Sequence, residues 1–144
     1  MKRIIAGLLC FVLLGCASFS GYEKIQYSKL QLKLQKTGLP ELEEKKPFLA
    51  GALNLLPGFG NAYLEQWGPF IGNLLLWPYS VLWAIPQATM DANVINKKET
   101  LLYYTHGLGE DELNKKYLEW EIEHKEAELE QEKLRKKLGD FDKN

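Results

Sequence analysis

The chain is poor in the residues that carry catalysis and metal binding. Its two histidines, His106 and His124, stand 18 residues apart with no second ligand at the spacing a metal site needs. Solvated or core-edge positions suit them, and no metal is expected. No serine lies in a Gly-x-Ser-x-Gly setting. Gly58-Phe59-Gly60 is too short for a phosphate loop, and no Lys or Arg stands near it to neutralise phosphate. Neither a cofactor nor an enzymatic activity is expected from such a chain. Charge of one sign is lacking too. The 18 basic residues against 19 acids leave a net of −1, which offers no basic field to nucleic acid. Cysteine is confined to Cys10 and Cys16. The sharpest absence is local: residues 47–96 hold no Lys or Arg and only two acids, Glu65 and Asp91.

The N-terminus carries a graded pattern instead. Met1-Lys2-Arg3 is positive, and Ile4 to Leu14 is an apolar run of 11 residues, too short to span a bilayer. Leu13-Leu14-Gly15-Cys16 closes that run. The pattern resembles bacterial lipoprotein signal peptides. The resemblance implies a cut between Gly15 and Cys16, removal of residues 1–15, and a diacylglycerol with palmitate-like chains on the Cys16 thiol. Cys10 would leave with the signal, so no disulfide could form within one mature chain. Loss of Lys2 and Arg3 leaves 16 basic residues against 19 acids, a net of −3. Two or three acyl chains hold a protein firmly to a bilayer, at about 0.8 kcal/mol per buried CH₂. In that family an Asp after the cysteine favours retention at the inner membrane. Ala17 stands there instead, so the outer membrane of the cell envelope is open to the protein. The alternative keeps Cys16 as an ordinary apolar residue in an uncut membrane anchor over residues 1–19.

Length allows one domain or a small domain with tails. Residues 16–46 read as a lipidated tether followed by a short amphipathic helix. Tyr22 to Thr37 is rich in Lys, Gln and Leu, and Gly38-Leu39-Pro40 supplies a stop. Leu30, Leu32 and Leu34 alternate with polar residues as in a half-buried strand, but composition and the glycine stop favour helix.

Residues 47–96 read as a hydrophobic helical hairpin. Phe48 to Leu64 is interrupted by Pro57-Gly58-Phe59-Gly60, and Phe70 to Met90 by Pro78 and Pro86. Glu65-Gln66-Trp67-Gly68-Pro69 is the turn between them. Asn54, Asn61 and Asn73 lie in apolar surroundings, and each needs a partner. Gly51, Ala52, Gly58, Gly60 and Gly72 allow close helix approach, while Tyr63, Trp67, Trp77 and Trp83 suit the headgroup level. Lys45-Lys46 and Lys97-Lys98 flank the hairpin on one side. Such basic flanks favour the cytoplasm, whereas a cleaved lipoprotein signal delivers them to the far side. Either the hairpin dips into the membrane from outside, or it is the buried core of a small globular domain.

Asn54-Leu55-Leu56-Pro57-Gly58-Phe59-Gly60-Asn61-Ala62-Tyr63-Leu64 resembles the bacterial two-transmembrane-hairpin (TM-two) domain family. The resemblance covers about residues 47–96 and implies a transmembrane hairpin whose second helix ends near an Asp. Asp91 in Met90-Asp91-Ala92-Asn93 matches that position. The family's Asp-Arg-Phe triplet is missing, and Pro57-Gly58 and Asn61 stand in its place, so its role does not carry over. Pro57, Gly58, Gly60, Asn61, Tyr63 and Asp91 are thus the candidate turn and packing residues. A carboxylate such as Asp91 at an apolar helix end calls for a donor, and Asn61, Tyr63 or a backbone amide could supply it.

Residues 97–144 read as a soluble, charged helical tail. One helix continues through Asn93–Thr105 and stops at Gly107-Leu108-Gly109; another runs from Glu110 to Leu138, with Gly139 as its stop. Glu110, Asp111 and Glu112 suit its positive end, and Arg135, Lys136 and Lys137 its negative end. Glu121–Lys125 and Glu132–Lys136 are helical ion-pair spacings. A heptad seam runs through Leu113, Tyr117, Trp120, His124, Ala127, Gln131, Leu134 and Leu138, but His, Ala and Gln make it a poor coiled coil.

The expected fold is all-α: a lipid-anchored N-terminus, an apolar hairpin and a charged C-terminal helix. The expected function is a lipid-anchored envelope protein, structural or partner-binding rather than catalytic. Its partners would be the bilayer and a protein or a second copy, met through the hairpin or the C-terminal helix. The alternative is a small lipid-handling protein or enzyme with the apolar hairpin as ligand groove.

Overall fold

A computed structural model describes residues 18–141. The signal segment 1–15, its cleavage site at Gly15 and Cys16, and the lipidation residue Cys16 lie outside the described residues. Regular structure among the described residues is helical throughout: α1 Gly21–Thr37, α2 Pro47–Leu53, α3 Phe59–Tyr63, α4 Trp67–Leu75, α5 Val81–His106 and α6 Glu110–Phe141. The all-α expectation holds.

Local chemistry explains the helix ends. Ser20 and Glu23 form a capping box ahead of α1: the Ser20 amide donates to Glu23 Oε2 (2.7 Å), and the Glu23 amide donates to Ser20 Oγ (3.2 Å). Gly38 follows α1 with φ +68°, the left-handed position a helix stop uses. Leu30 and Leu34 are buried and Leu32 is exposed, so the helical period decides the leucine-rich stretch. Pro47 opens α2, where its missing N–H has no intrahelical partner to lose.

Four expectations need correction. No helix among the described residues is long and apolar enough to cross a membrane, which overturns the transmembrane hairpin. The apolar stretches break into short pieces, α2 with 7 residues, α3 with 5 and α4 with 9. Pro86 does not interrupt α5, which also runs past Asp91 to His106. Trp67-Gly68-Pro69 belongs to the first turn of α4 rather than to a loop. Finally, α6 continues through Gly139 to Phe141 because glycine in a helix costs only about 1 kcal/mol and stops nothing unless the chain turns left-handed there.

Contacts divide the chain into two units. The first takes the described residues through Tyr27 together with Glu41–Leu101, the second Ser28–Pro40 with the residues from Leu102 onward. In the first, α2 leads away from a polar base, α3 returns, α4 leads away again and the first half of α5 returns. The levels are set by hydrogen bonds: Asn54 reaches Ala84 O (2.7 Å) at the far end. At the base, Asn96 brackets Lys45, accepting from its N–H (2.8 Å) and donating to its C=O (2.7 Å). Thr100 Oγ1 accepts from the Leu42 amide (3.0 Å) and donates to Asn96 O (2.8 Å). Lys45 Nζ pairs with Glu65 Oε1 at 2.8 Å, and the Lys46 amide donates to Tyr63 Oη at 3.0 Å.

Titrating groups at this base and on α1 set an asymmetric pH response. The hydrogen bond between Lys45 and Glu65 holds the carboxyl below its ordinary value and the ammonium above its own. The Ser20 amide and hydroxyl hold Glu23 low as well. Burial lifts the Tyr27 phenol, with Glu41 adding to it. Carboxyls lowered in the fold add stability above 4.5 that is lost as pH falls through their folded values. A raised phenol acts in the other direction: above 10.0 the unfolded chain ionises first and the fold loses stability. Lys45 reinforces this loss, since its contribution is full below 10.5 and disappears as pH rises through its raised value. The two carboxylates are solvated, so the acid limb should be shallow and the alkaline limb steep. Thermal melts across pH check this. Tyr27→Phe should flatten the alkaline limb, and an unchanged limb would count against the assignment.

In the second unit, Leu30, Leu34, Leu39, Tyr104 and Leu113 are buried, and Tyr104 Oη donates to Pro40 O at 3.0 Å. Tyr117 stacks on Trp120 at 5.8 Å and Trp120 meets His124 at 4.1 Å. Lys36 Nζ lies 4.1 Å over the Trp120 ring. His124 is thus an aromatic-edge residue. The ion pairs seen on α6 are Glu112–Lys116 at 3.6 Å and the expected Glu132–Lys136 at 2.7 Å; Glu121–Lys125 is not made.

Candidate functional site

The hairpin unit has its polarity reversed. Its interior is small and polar. Ala50, Ala88 and Ala92 form the core with Leu64, and Tyr63 and Ile95 pack against them. Asn54, Asn61 and Asn73 are at most 1% exposed. Small residues permit the closeness: a methyl on Gly51 would collide with the Thr89 hydroxyl, and one on Gly60 with the Ala50 carbonyl. Gly58, at φ +79° and against the Phe70 carbonyl, turns the chain from α2 into α3.

The three asparagines hold the broken helices together. Asn54 Oδ1 accepts from the amide of Gly60 (2.8 Å), which opens α3 without a backbone acceptor, and adds a longer bond (3.3 Å) from the Asn61 amide, which also donates to Gly58 O (2.9 Å). Asn54 Nδ2 donates to Asn61 Oδ1 (3.1 Å) and to Ala84 O (2.7 Å) in α5. Asn73 Nδ2 donates to the same Asn61 oxygen at 2.8 Å, and Asn61 Nδ2 donates to Gln66 Oε1 at 3.0 Å. The Asn73 carboxamide oxygen accepts from Trp83 Nε1 (3.1 Å), and its main-chain carbonyl, in the last turn of α4, accepts from Ser80 Oγ (2.8 Å). One connected network therefore ties α2, α3, α4 and α5, and it supplies partners to backbone groups that short helices leave open. Buried polar groups in a medium without water must be satisfied in this way.

The exterior is apolar. Leu55, Leu56, Phe59, Trp67, Ile71, Leu74, Leu75, Trp77, Tyr79, Leu82 and Met90 are all exposed, Leu82 to 82%. An exposed apolar surface of this extent marks a contact with membrane, ligand or protein. It concentrates at the end opposite the polar base, around the α2–α3 and α4–α5 turns. From Leu82 at that end to Asn96 at the base, α5 rises about 21 Å, less than the ~30 Å hydrocarbon core of a bilayer.

Each expected site residue has a definite place. Pro57 is half-buried in the α2–α3 turn; Gly58, Gly60 and Asn61 are buried at the start of α3. Tyr63 closes the base through Lys46. Asp91 is buried in the interior of α5 rather than at its end. Asn61 donates to Gln66, and Tyr63 accepts from Lys46. Sequence reasoning missed Ser80, Gln66 and Trp83 as network members and Asn96 with Thr100 as the clamp on residues 42–45. The asparagine spacing alone hinted at the network, since carboxamides in an apolar run need one another. A cavity of about 240 Å³ at the base has mixed walls that include Glu41, Leu42, Pro47, Asn96 and Lys97. No group of three His, Cys, Asp or Glu able to hold a metal gathers among the described residues. No protein family matches the chain, and comparison with curated proteins and with solved structures finds no significant match.

Proposed function

We propose that the protein is a lipid-anchored component of the bacterial cell envelope whose hairpin dips into one face of the membrane and serves a structural or partner-binding role. The observation that carries this reading is the reversed polarity of the hairpin: asparagines inside, leucine and aromatic side chains outside. In water such a surface forgoes roughly 25 cal/mol for every Å² of apolar area left wet. Among acyl chains it is the stable arrangement, because the network leaves few polar groups facing lipid. Both ends of the hairpin lie at the polar base, and its reach of about 21 Å suits entry from one side. The basic flanks do not argue for a cytoplasmic location here, since Lys45 is engaged by Glu65 and Lys98 lies 3.7 Å from Glu23. The signal pattern ending at Cys16 supplies the second attachment.

Two measurements test this. Intact-mass spectrometry of the mature protein is expected to give an N-terminus at Cys16 with added acyl mass; an unmodified, uncut chain would remove the lipid anchor from the account. A Cys16→Ser chain from which residues 1–15 are also removed, and so without signal or lipid, is expected to bind phospholipid vesicles through the hairpin alone. Such a chain that folds yet stays with the soluble fraction would remove the membrane-facing hairpin.

A further inference from the structure

The outer part of α6 has no cover within its own unit. Every side chain from Ile122 to Leu138 is exposed, including Leu134 and Leu138. The seam of the buried start nevertheless continues through it: His124, Gln131 and Leu138 fall at a, Ala127 and Leu134 at d. The charges along this segment separate into two blocks. Residues 126–132 contain Glu126, Glu128, Glu130 and Glu132 and no base; residues 133–138 contain Lys133, Arg135, Lys136 and Lys137 and no acid. The boundary between the blocks lies between Glu132 and Lys133, so the segment is complementary to itself when reversed.

We propose that this segment pairs with that of a second copy, antiparallel, centred on the Glu132–Lys133 boundary. Two independent features select one register. In an antiparallel pair a meets d, and this centre sets Gln131 against Leu134 and Ala127 against Leu138, each twice. Flanking e positions meet e and g positions meet g, which sets Glu128 against Arg135 and Glu130 against Lys137, again each twice. All four flanking contacts are attractive. A parallel pair would oppose Glu123 and Glu128 at both of its flanks, and this repulsion offsets the Glu130–Arg135 attraction it would also make. Overlap of about two heptads with Gln and Ala in the seam is short of a standard interface, so the dimer is a transient one. The inference uses α6 alone and stands whether or not the hairpin enters a membrane.

The test uses the full chain in detergent micelles, with dimerisation followed by sedimentation equilibrium and helix content by circular dichroism. Glu128→Lys is expected to weaken the dimer about tenfold, because two attractive contacts become repulsive. Glu128→Lys combined with Arg135→Glu is expected to restore it. Leu134→Ser should weaken it, while Leu129→Ser, on the outer face, should leave it unchanged. A wild-type chain that is monomeric up to its solubility limit overturns the proposal. So does a dimer tightened by Glu128→Lys, which would be parallel. A dimer broken by Leu129→Ser but not Leu134→Ser, or indifferent to all these changes, also overturns it and points to the outer stripe or the hairpin instead.

Discussion

Asn54→Ala is expected to destabilise the hairpin unit by about 3 kcal/mol or more, a large effect for one exchange of a neutral side chain. Four partners lose their contact at once: the amides of Gly60 and Asn61, the Asn61 carboxamide oxygen and the Ala84 carbonyl. A buried donor or acceptor left without a partner costs about 1–3 kcal/mol. The Gly60 amide dominates, because it has no other acceptor, whereas the Asn61 amide keeps its bond to Gly58 O (2.9 Å). The Asn61 oxygen and the Ala84 carbonyl lose less, since Asn73 still donates to the former and the α5 ladder supports the latter. Asn54→Leu should fare no better: it fills the space yet leaves the Gly60 amide open. Leu55→Ala, at the next residue and exposed, should change stability by less than ~0.5 kcal/mol. Denaturant unfolding of the chain in micelles gives these values. Trp83 fluorescence is a direct reporter, since its indole N–H ends the network. An Asn54→Ala chain as stable as the parent would show that the network is decoration.

Leu75→Ser with Leu82→Ser should weaken vesicle binding of the signal-free Cys16→Ser chain on the order of a hundredfold, by about 3 kcal/mol. Both side chains are exposed beside the α4–α5 turn and contribute nothing to the core, so folding should survive. Transfer of a leucine side chain out of water is worth about 1.5–3 kcal/mol, and serine forfeits most of it. The pair Leu118→Ser and Ile122→Ser is the matched control: equally apolar and exposed, but on α6 and far along the chain from the hairpin. Equal losses from both pairs would mean that binding follows general hydrophobicity. No loss from Leu75→Ser with Leu82→Ser would place the membrane contact elsewhere.

Together the two predictions divide the hairpin into parts with opposite duties. Changing the interior should alter stability and leave partition per folded molecule untouched. Changing the exterior should alter partition and leave stability almost untouched. In a soluble domain the same two classes of residue would exchange roles, since leucine would stabilise the core and asparagine would face water. Phe48 illustrates the difference: it is 86% exposed directly after the proline that opens α2.

Local signals of helix and stop were legible without any structure. Gly38 after a run of Lys, Gln and Leu, and Gly107 to Gly109 between two helical stretches, each act within one turn of chain. The solvated character of α6 was equally readable from its charges. The seam residues at its start pack as far as His124, which meets Trp120, and those beyond are exposed. Where a glycine or proline was read as a break, the outcome depended on surroundings. Pro57-Gly58 breaks the chain because Gly58 turns left-handed against Phe70, whereas Pro86 and Gly139 sit inside continuous helices.

By itself the sequence determined the helical class, the stop after α1, the break between α5 and α6 and the absence of charge from residues 47–96, all properties of neighbours along the chain. Only the tertiary structure decided that two apolar stretches become four short passes instead of two spans. It alone decided that Asn54, Asn61 and Asn73 converge on one network, and that Asp91 lies inside a helix. The physical reason is that an apolar run states only that water is to be avoided. Whether a leucine meets a protein core or faces outward depends on which side chains can approach closely and satisfy each other. Here glycines and alanines let the backbones touch, the asparagines bond in the space that remains, and the large apolar side chains have nowhere to go but out.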